Sequence, residues 1–502
     1  MKKLFDVVIV GGGGSGLATG VSAAQNGASV ILLEKRPELG GSTGIAVGSF
    51  TANRTALQRK QGIDDNPDDH EADAGLFGPI EIQARNNSQM RRFFLGHSAE
   101  TMDWLMGMGL RFHGPSPEPP NRVPRMHNVV PNAKAYIATL QSRLIALGGT
   151  IICNALVVEL VKEGNRIVGV RARIDGKTTT VRASRGVVLA AGDYSNSPEI
   201  ISRYKGTLFA SIEGINPHCT GDGYLMAEQV GAQLLNMDVT YGPEIRFVAP
   251  PRKPFSQLLP ASGFVARLMG WFLPLVPRAF INVMIKRLLV TWQHPEDRLF
   301  EDGAILINSR CERFCDEKTS PEREIRISEQ PGKICYILLD RRLAQKYSAW
   351  PHFISTAPEI AYAYVKDYRR IRRDITVVRE QLSDLAEARR LPAEPLQVTV
   401  DSYNRYTSGQ VADPFGRTGD SEPLVDGHWL LMGPAKAYFT TTEGGVRTNE
   451  SFQVLDTDSR PIEGLYAVGS NGMGGMILWG HGLHIAWAIT SGRMVGRLLA
   501  EK

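Results

Sequence analysis

The stretch DVVIVGGGGSGLATG, residues 6–20, limits the folds open to this chain more than any other. Its β-branched run, Asp6–Val10, reads as a buried parallel strand. The run leads straight into Gly11, Gly13 and Gly16, a G-x-G-x-x-G pattern that opens a helix expected over 15–27. SVILLE, Ser29–Glu34, is the second strand, completing a β-α-β unit. Gly11 permits the tight turn, Gly13 lets backbone approach a pyrophosphate, and Gly16 allows close helix–strand packing. Gly14 and Ser15 complete the loop, whose helix N-terminus favours an anion. Glu34 ends the second strand, placed to accept from ribose hydroxyls and to repel a 2′-phosphate, with Lys35 beside it.

Further glycine-rich segments indicate which nucleotide. ELGGSTGIAVG, with Gly41, Ser42, Thr43 and Gly48, follows Glu34 at once and suits a cofactor that continues past the pyrophosphate. RGVVLAAGDYS, residues 185–195, is a buried strand ending in small residues, among them Ala191 and Gly192. It closes a β-meander that begins at Val157. GLYAVGSNGMGG, residues 464–475, carries Gly469 and lies close to the C-terminus. A nicotinamide enzyme does not need that last segment. Together these pieces read as FAD spread across one domain assembled from both ends of the chain.

Helices are expected around 84–109, over 133–147 and over 221–232, with 113–131 Pro-rich and irregular. Residues 360–390 read as a charged, exposed helix or helix pair, in which YRRIRRD is a solvated face. From Ile245 to Pro295 there is no Asp or Glu, while Arg246, Arg252, Lys253, Arg267, Arg278, Lys286 and Arg287 are all basic. LMGWFLPLVP, residues 268–277, is too short to span a bilayer. Two readings stay open for it: an interfacial membrane anchor, or a hydrophobic lid or dimer contact. A net charge of +5 over 502 residues gives nucleic-acid binding little support. The five cysteines carry no zinc-like spacing and read as buried thiols in a reducing cytoplasm, so no metal is expected. With a strand starting at Asp6 no leader is visible. The expected location is cytoplasmic, with peripheral contact to the inner membrane face through 258–290.

Over nearly its whole length the chain resembles the fumarate reductase/3-ketosteroid dehydrogenase flavoprotein superfamily. The resemblance rests on the nucleotide loop, GGSTG, VVLAAGDYS, CTGDGYLMAEQVGA (219–232), ILINSRCERFCDE (305–317), TTEGGVRTNESFQVLD (441–456) and GLYAVGSN. It implies an α/β fold: a Rossmann-like FAD-binding domain with an inserted α+β capping domain. The expected boundaries are 1–240 and 431–502 for the FAD-binding domain and 241–430 for the cap, including the apolar basic segment 258–290. The run 39–50 holds no His, where covalently flavinylated members carry one, so non-covalent FAD is implied.

Against the fumarate-reducing branch, its proton-donating Arg falls at about Pro321, threonines replace a His in YFTTTEGG, and its carboxylate-clamping Arg falls at about Trp479. Arg323 or Arg246 would have to compensate for a carboxylate substrate. The ketosteroid branch fits better through MDVTYGPEI (237–245) and WGHGLHIAWAITSG (479–492). There the resemblance implies that the Gly482 N–H polarises a ketone and, with Leu483, borders the flavin. The branch's tyrosines fall at about Leu478 and Pro321, so another residue must move the proton. His481, His484, Tyr241 and Tyr438 are the candidates, with Trp479 and Leu478 as pocket walls and Tyr194 and His113 as weaker choices. The expected activity is desaturation, or reduction, of a C–C bond next to a carbonyl in a hydrophobic cyclic ketone. The electron acceptor is unidentified. Two alternatives stay open: an enzyme acting on a carboxylic acid, and a lipid-binding protein without catalysis.

Overall fold

The computed structural model describes residues 4–251, 286–287, 289–291, 293–357, 361–418, 421–425 and 427–501. Strand Leu4–Val10 lies between Val30–Leu33 and Lys177–Leu189, parallel to both. The parallel row extends to Thr150–Ile152 on one side and to Pro461–Ala467 on the other. Val30–Leu33 is buried throughout, as a strand covered on both faces requires. Strands Ala155–Glu163 and Arg166–Ile174 add the antiparallel meander.

Helix Gly14–Gln25 and the last helix, Leu483–Glu501, pack directly on each other. A Cβ on Gly492 or Gly496 would collide with the carbonyl oxygens of Ser15 and Thr19, so the two backbones are in contact. The Ser22 hydroxyl donates to the Arg493 carbonyl at 2.6 Å. The two ends of the chain are thereby joined beneath the nucleotide loop.

A second sheet is organised on the long strand Trp429–Phe439, which pairs antiparallel with Glu244–Phe247, Cys335–Leu339 and Thr376–Arg379 and parallel with Glu213–Gly214. Ile305–Ile307 completes it against Cys335–Leu339. In chain order this whole sheet falls between Lys177–Leu189 and Pro461–Ala467 of the first. The result is a mixed α/β fold of the expected class.

Two expectations need correction. Residues 113–131 are not simply irregular: Arg111–Ser116 and Met126–Val130 form a three-stranded antiparallel sheet with Ser49–Thr51. Prolines mask the pattern because their strand segments are short and one contains a bulge. The 360–390 region is not a helix pair on a solvated face either: strand Thr376–Arg379 separates Val365–Ile371 from Leu382–Arg389. Within YRRIRRD, Arg372 is 2 % exposed and donates to the carbonyls of Val290 and Val248 at 3.1 and 2.7 Å. Asp374 at 3.0 Å neutralises it, which is how an arginine becomes a core residue. The apolar basic segment 258–290 lies outside the described residues except at its C-terminal end. Among the described residues no helix is long and apolar enough to cross a membrane.

Candidate active site

The first part of the site is an open groove at the C-terminal ends of the parallel strands. Such crevices are where open α/β sheets bind ligands. Val10, Leu33 and Leu189 each end a strand there, and the chain then turns away through Gly11, Glu34 and Ala190. Gly11 has φ +109°, and a Cβ on Gly16 would collide with the Gly11 carbonyl oxygen. A Cβ on Gly13, by contrast, would meet nothing closer than Gly41 Cα at 3.9 Å, leaving bare backbone open to a ligand. Gly14, Ser15, Ser42, Thr43, Val157, Ala191 and Gly192 line the same groove.

Glu34 is held there by two backbone donors: Gly12 N–H to Oε2 at 2.7 Å and Arg36 N–H to Oε1 at 2.8 Å. Its carboxylate retains lone pairs for hydroxyl donors. Lys35 also borders the groove, but its ammonium is held by Thr220 and Asp222 at 2.6 and 2.8 Å. Gly469 sits one residue before the groove-lining Ser470; its N–H donates to Ser491 and its carbonyl accepts from Trp487. Gly48, also expected here, is not among the lining residues; it turns the chain at φ +104° into Ser49–Thr51 and accepts from Tyr136. Bare backbone at Gly13, a helix N-terminus and a fixed acceptor at Glu34 together fit a dinucleotide of the FAD type.

The second part is built where the last helix begins. Trp479, Gly480, His481 and Gly482 lead into Leu483, which is buried. Gly482 has φ +84°, and a Cβ there would press on Ser49 and Thr51. No acceptor among the described residues takes the Gly482 N–H. The two flanking histidines each meet a buried carboxylate. His481 Nδ1 lies 2.5 Å from Glu118 Oε1, which also accepts the His481 backbone N–H at 2.9 Å. His484 Nε2 lies 2.8 Å from Glu443 Oε1, and Glu443 Oε2 accepts the Leu478 N–H at 2.7 Å. Desolvation by the surrounding protein works to lower both imidazole pKa values, although the His481 ring keeps an exposed edge; the paired carboxylates outweigh it and both shift upward.

Tyr241 stands edge-on to Trp479 with ring centres 6.0 Å apart. Burial, reinforced by Glu244, pushes its phenol pKa up to about 12. Trp479 is itself pressed against Gly78, where no side chain fits. Tyr438 is the register partner of both Glu213 and Glu244 on the second sheet, and burial raises it to about 12 as well. Leu478 is fully buried, its backbone rather than its side chain serving the site.

Other candidates are placed elsewhere. Tyr194 donates to the Met237 carbonyl at 2.7 Å from a fully buried position. His113 lies in the three-stranded sheet opposite Asn128. Arg323 is 4 % exposed and bonded to Glu324, Asp297 and the Glu317 carbonyl, so it holds the second sheet's flanking helix. Arg246 is engaged by Glu244 at 2.8 Å and by Thr440 at 3.2 Å. Sequence reasoning missed Glu118 and Glu443. An acid amid the apolar and threonine residues of YFTTTEGG was a signal for Glu443; in SPEPPNR nothing distinguished Glu118.

The groove defines an FAD-binding protein of the mixed α/β class. The profile of the FAD binding domain family matches residues 6–250 and 261–480, and the chain belongs to that family. It is 25 % identical over 477 residues to the NADH:fumarate oxidoreductase of Klebsiella pneumoniae (strain 342), covering 93 % of this chain and 44 % of that protein. It is 23 % identical to the 3-oxosteroid 1-dehydrogenase of Mycolicibacterium smegmatis, covering 93 % and 91 %. The chain therefore spans less than half the length of the first relative and most of the second. The open conformation of a flavocytochrome c3 fumarate reductase superposes with a TM-score of 0.72 at 24 % identity, over 100 % of this chain and 78 % of that one.

Proposed function

We propose that this protein removes or restores hydrogen across a C–C bond adjacent to a carbonyl, in a hydrophobic and cyclic ketone. The observation that carries the reading is the Gly482 N–H. It is a backbone donor without a protein acceptor among the described residues, set between two carboxylate-bound histidines and beside the Tyr241–Trp479 wall. A donor aimed at a carbonyl oxygen stabilises the enolate-like charge that builds up when the neighbouring C–H bond is broken. A base or acid among the imidazoles and phenols exchanges the α-proton. Trp479 and Tyr241 supply apolar walls for a ring system and shield the reacting carbons from water. FAD, when bound, supplies the oxidant or reductant as a hydride acceptor or donor.

Relatives named for fumarate and for an oxosteroid both support chemistry at a C–C bond next to a carbonyl. The ketone is preferred because the arginines that a carboxylate substrate would need are already committed: Arg323 to Glu324 and Asp297, Arg246 to Glu244. We place the FAD as non-covalent and the electron acceptor outside this chain. Anaerobic absorbance titration of the flavin-loaded protein with cyclic ketones, enones and dicarboxylates tests the reading. Bleaching by a ketone, or reoxidation of the reduced protein by an enone, is expected. A response confined to dicarboxylates overturns it.

A further inference from the structure

We infer that Glu118 and His481 act as one acid–base pair, whose outward imidazole edge exchanges the substrate's α-proton. This rests on the ketone reading above and assigns the proton step that the chain's Leu478 and Pro321 cannot perform.

Glu118 grips His481 twice, at the ring Nδ1 and at the backbone N–H, through the same oxygen. Thr51 completes the grip by donating to the His481 carbonyl at 2.6 Å. The backbone is thus held at both its N–H and its carbonyl, and the ring at Nδ1. A carboxylate at Nδ1 fixes the tautomer that keeps the Nε2 lone pair outward, and stabilises the imidazolium once Nε2 takes a proton. The Glu118 side chain is 7 % exposed, whereas that of His481 is 54 % exposed, so the pair has a dry end and an open end. Nε2 has no protein partner among the described residues. Glu118 Oε2 is buried with no hydrogen-bond partner, an arrangement costly to keep for packing alone.

The loop bearing Glu118 is braced for the task. Asn121 N–H donates to the Glu118 carbonyl at 2.9 Å, and Arg125 holds Asn121 Oδ1 at 3.0 Å. Arg125 is in turn locked by Asp65 at 2.7 Å and by Asp73 at 2.5 Å. Among the described residues, the other charged or titratable groups facing His481 are Glu244 and Arg246, from strand Glu244–Phe247, and His294. Glu244 lies within 3.5 Å of both Arg246 and His294, which leaves Glu118 as the dedicated partner of His481.

In the dehydrogenating direction the α C–H bond breaks and its proton bonds to Nε2. The electron pair enters the new C=C bond as the β-hydrogen departs with its own pair, for which FAD, when bound, would be the acceptor. The imidazolium then loses the proton to solvent at its open edge. Reduction runs the same proton transfer backwards.

The test uses the full-length flavin-loaded protein and its His481→Gln, His481→Asn and Glu118→Gln variants. The first readout is independent of turnover: NMR titration of ¹³C-labelled histidines, with the His481 signal assigned by its loss in His481→Asn. A His481 titration above the ordinary imidazole value, moved down by about one pH unit or more in Glu118→Gln, supports the pair. An unmoved titration overturns it. The second readout is exchange of the substrate's α-hydrogen with D₂O and kcat/KM against pH, using a cyclic ketone that bleaches the flavin. Loss of about 10²–10⁴-fold in His481→Gln, with ligand binding and flavin content retained, supports the assignment. Unchanged exchange in that variant overturns it. If no ketone or enone reacts, the ketone reading fails by itself, and the NMR arm still decides whether the two residues share a proton.

Discussion

Glu443 holds His484 and Leu478 at once: one carboxylate oxygen meets His484 Nε2 at 2.8 Å and the other takes the Leu478 N–H at 2.7 Å. The acid is fully buried, and it ties the strand end at 441–442 to the loop that presents Gly482. Glu443→Gln keeps an acceptor for Leu478 but removes the charge opposite the imidazole. The expected loss is about 1.5–3 kcal/mol, the worth of a hydrogen bond to a charged group. Because the His484 pKa is raised in the folded protein, its contribution is complete below the unfolded imidazole value, about 6.5, and disappears as pH rises through the folded value. Calorimetric Tm measured against pH should therefore show wild type and Glu443→Gln converging on the alkaline side. A constant gap up to high pH contradicts the assignment.

The glycines of the nucleotide loop should respond differently to the same change. Gly16→Ala forces a Cβ into the Gly11 carbonyl and is expected to lower Tm or prevent soluble expression. Gly13→Ala has room in the protein itself, so it should fold with near-normal Tm yet retain much less flavin. Flavin absorbance per mole of protein, set beside Tm, separates the two effects. Full flavin content in Gly13→Ala would remove Gly13 from the cofactor contact.

Acid precipitation of the flavin-loaded protein should release all of its yellow colour into the supernatant, as non-covalent FAD requires. Flavin fluorescence remaining with the denatured pellet would show a covalent bond instead.

Trp479→Ala removes a ring that both Gly78 and Tyr241 are shaped around. Loss of one large apolar wall costs about 1.5–3 kcal/mol of substrate binding, which is roughly 10–150-fold in kcat/KM. Steady-state kinetics on the best ketone should show this mainly in KM, with flavin content unchanged. A fall in kcat alone would place Trp479 nearer the reacting bond than a wall.

Arg323→Gln strands Glu324, whose side chain has no exposure, and should destabilise by about 3–5 kcal/mol whatever the substrate. Urea unfolding measures it. If stability is unaffected and dicarboxylate turnover disappears, Arg323 binds substrate and the carboxylic-acid reading returns.

The cofactor half of the molecule was readable from the chain because its constraints are local. A strand, a turn at Gly11, a helix start and an acid at the next strand's end all fall within residues 6–34, and each follows from backbone conformation or side-chain reach. His481, Gly482 and His484 lie together for an equally local reason, all standing beside one helix start. Glu118 was not, because what sets it apart is burial against a histidine 363 residues away. Arg372 misled for the converse reason: a charge in an arginine-rich run reads as solvated until its acceptors, Val248 and Val290, are known.

Composition and pattern therefore carry the fold class, the FAD groove and the loop that opens the last helix. Folding adds the partners: Glu118 to His481, Glu443 to His484, Glu244 to Arg246. A histidine's chemistry depends on the charge within hydrogen-bond distance of it. That distance is set by how the three-stranded sheet and the long strand Trp429–Phe439 pack beside the last helix, not by spacing along the chain.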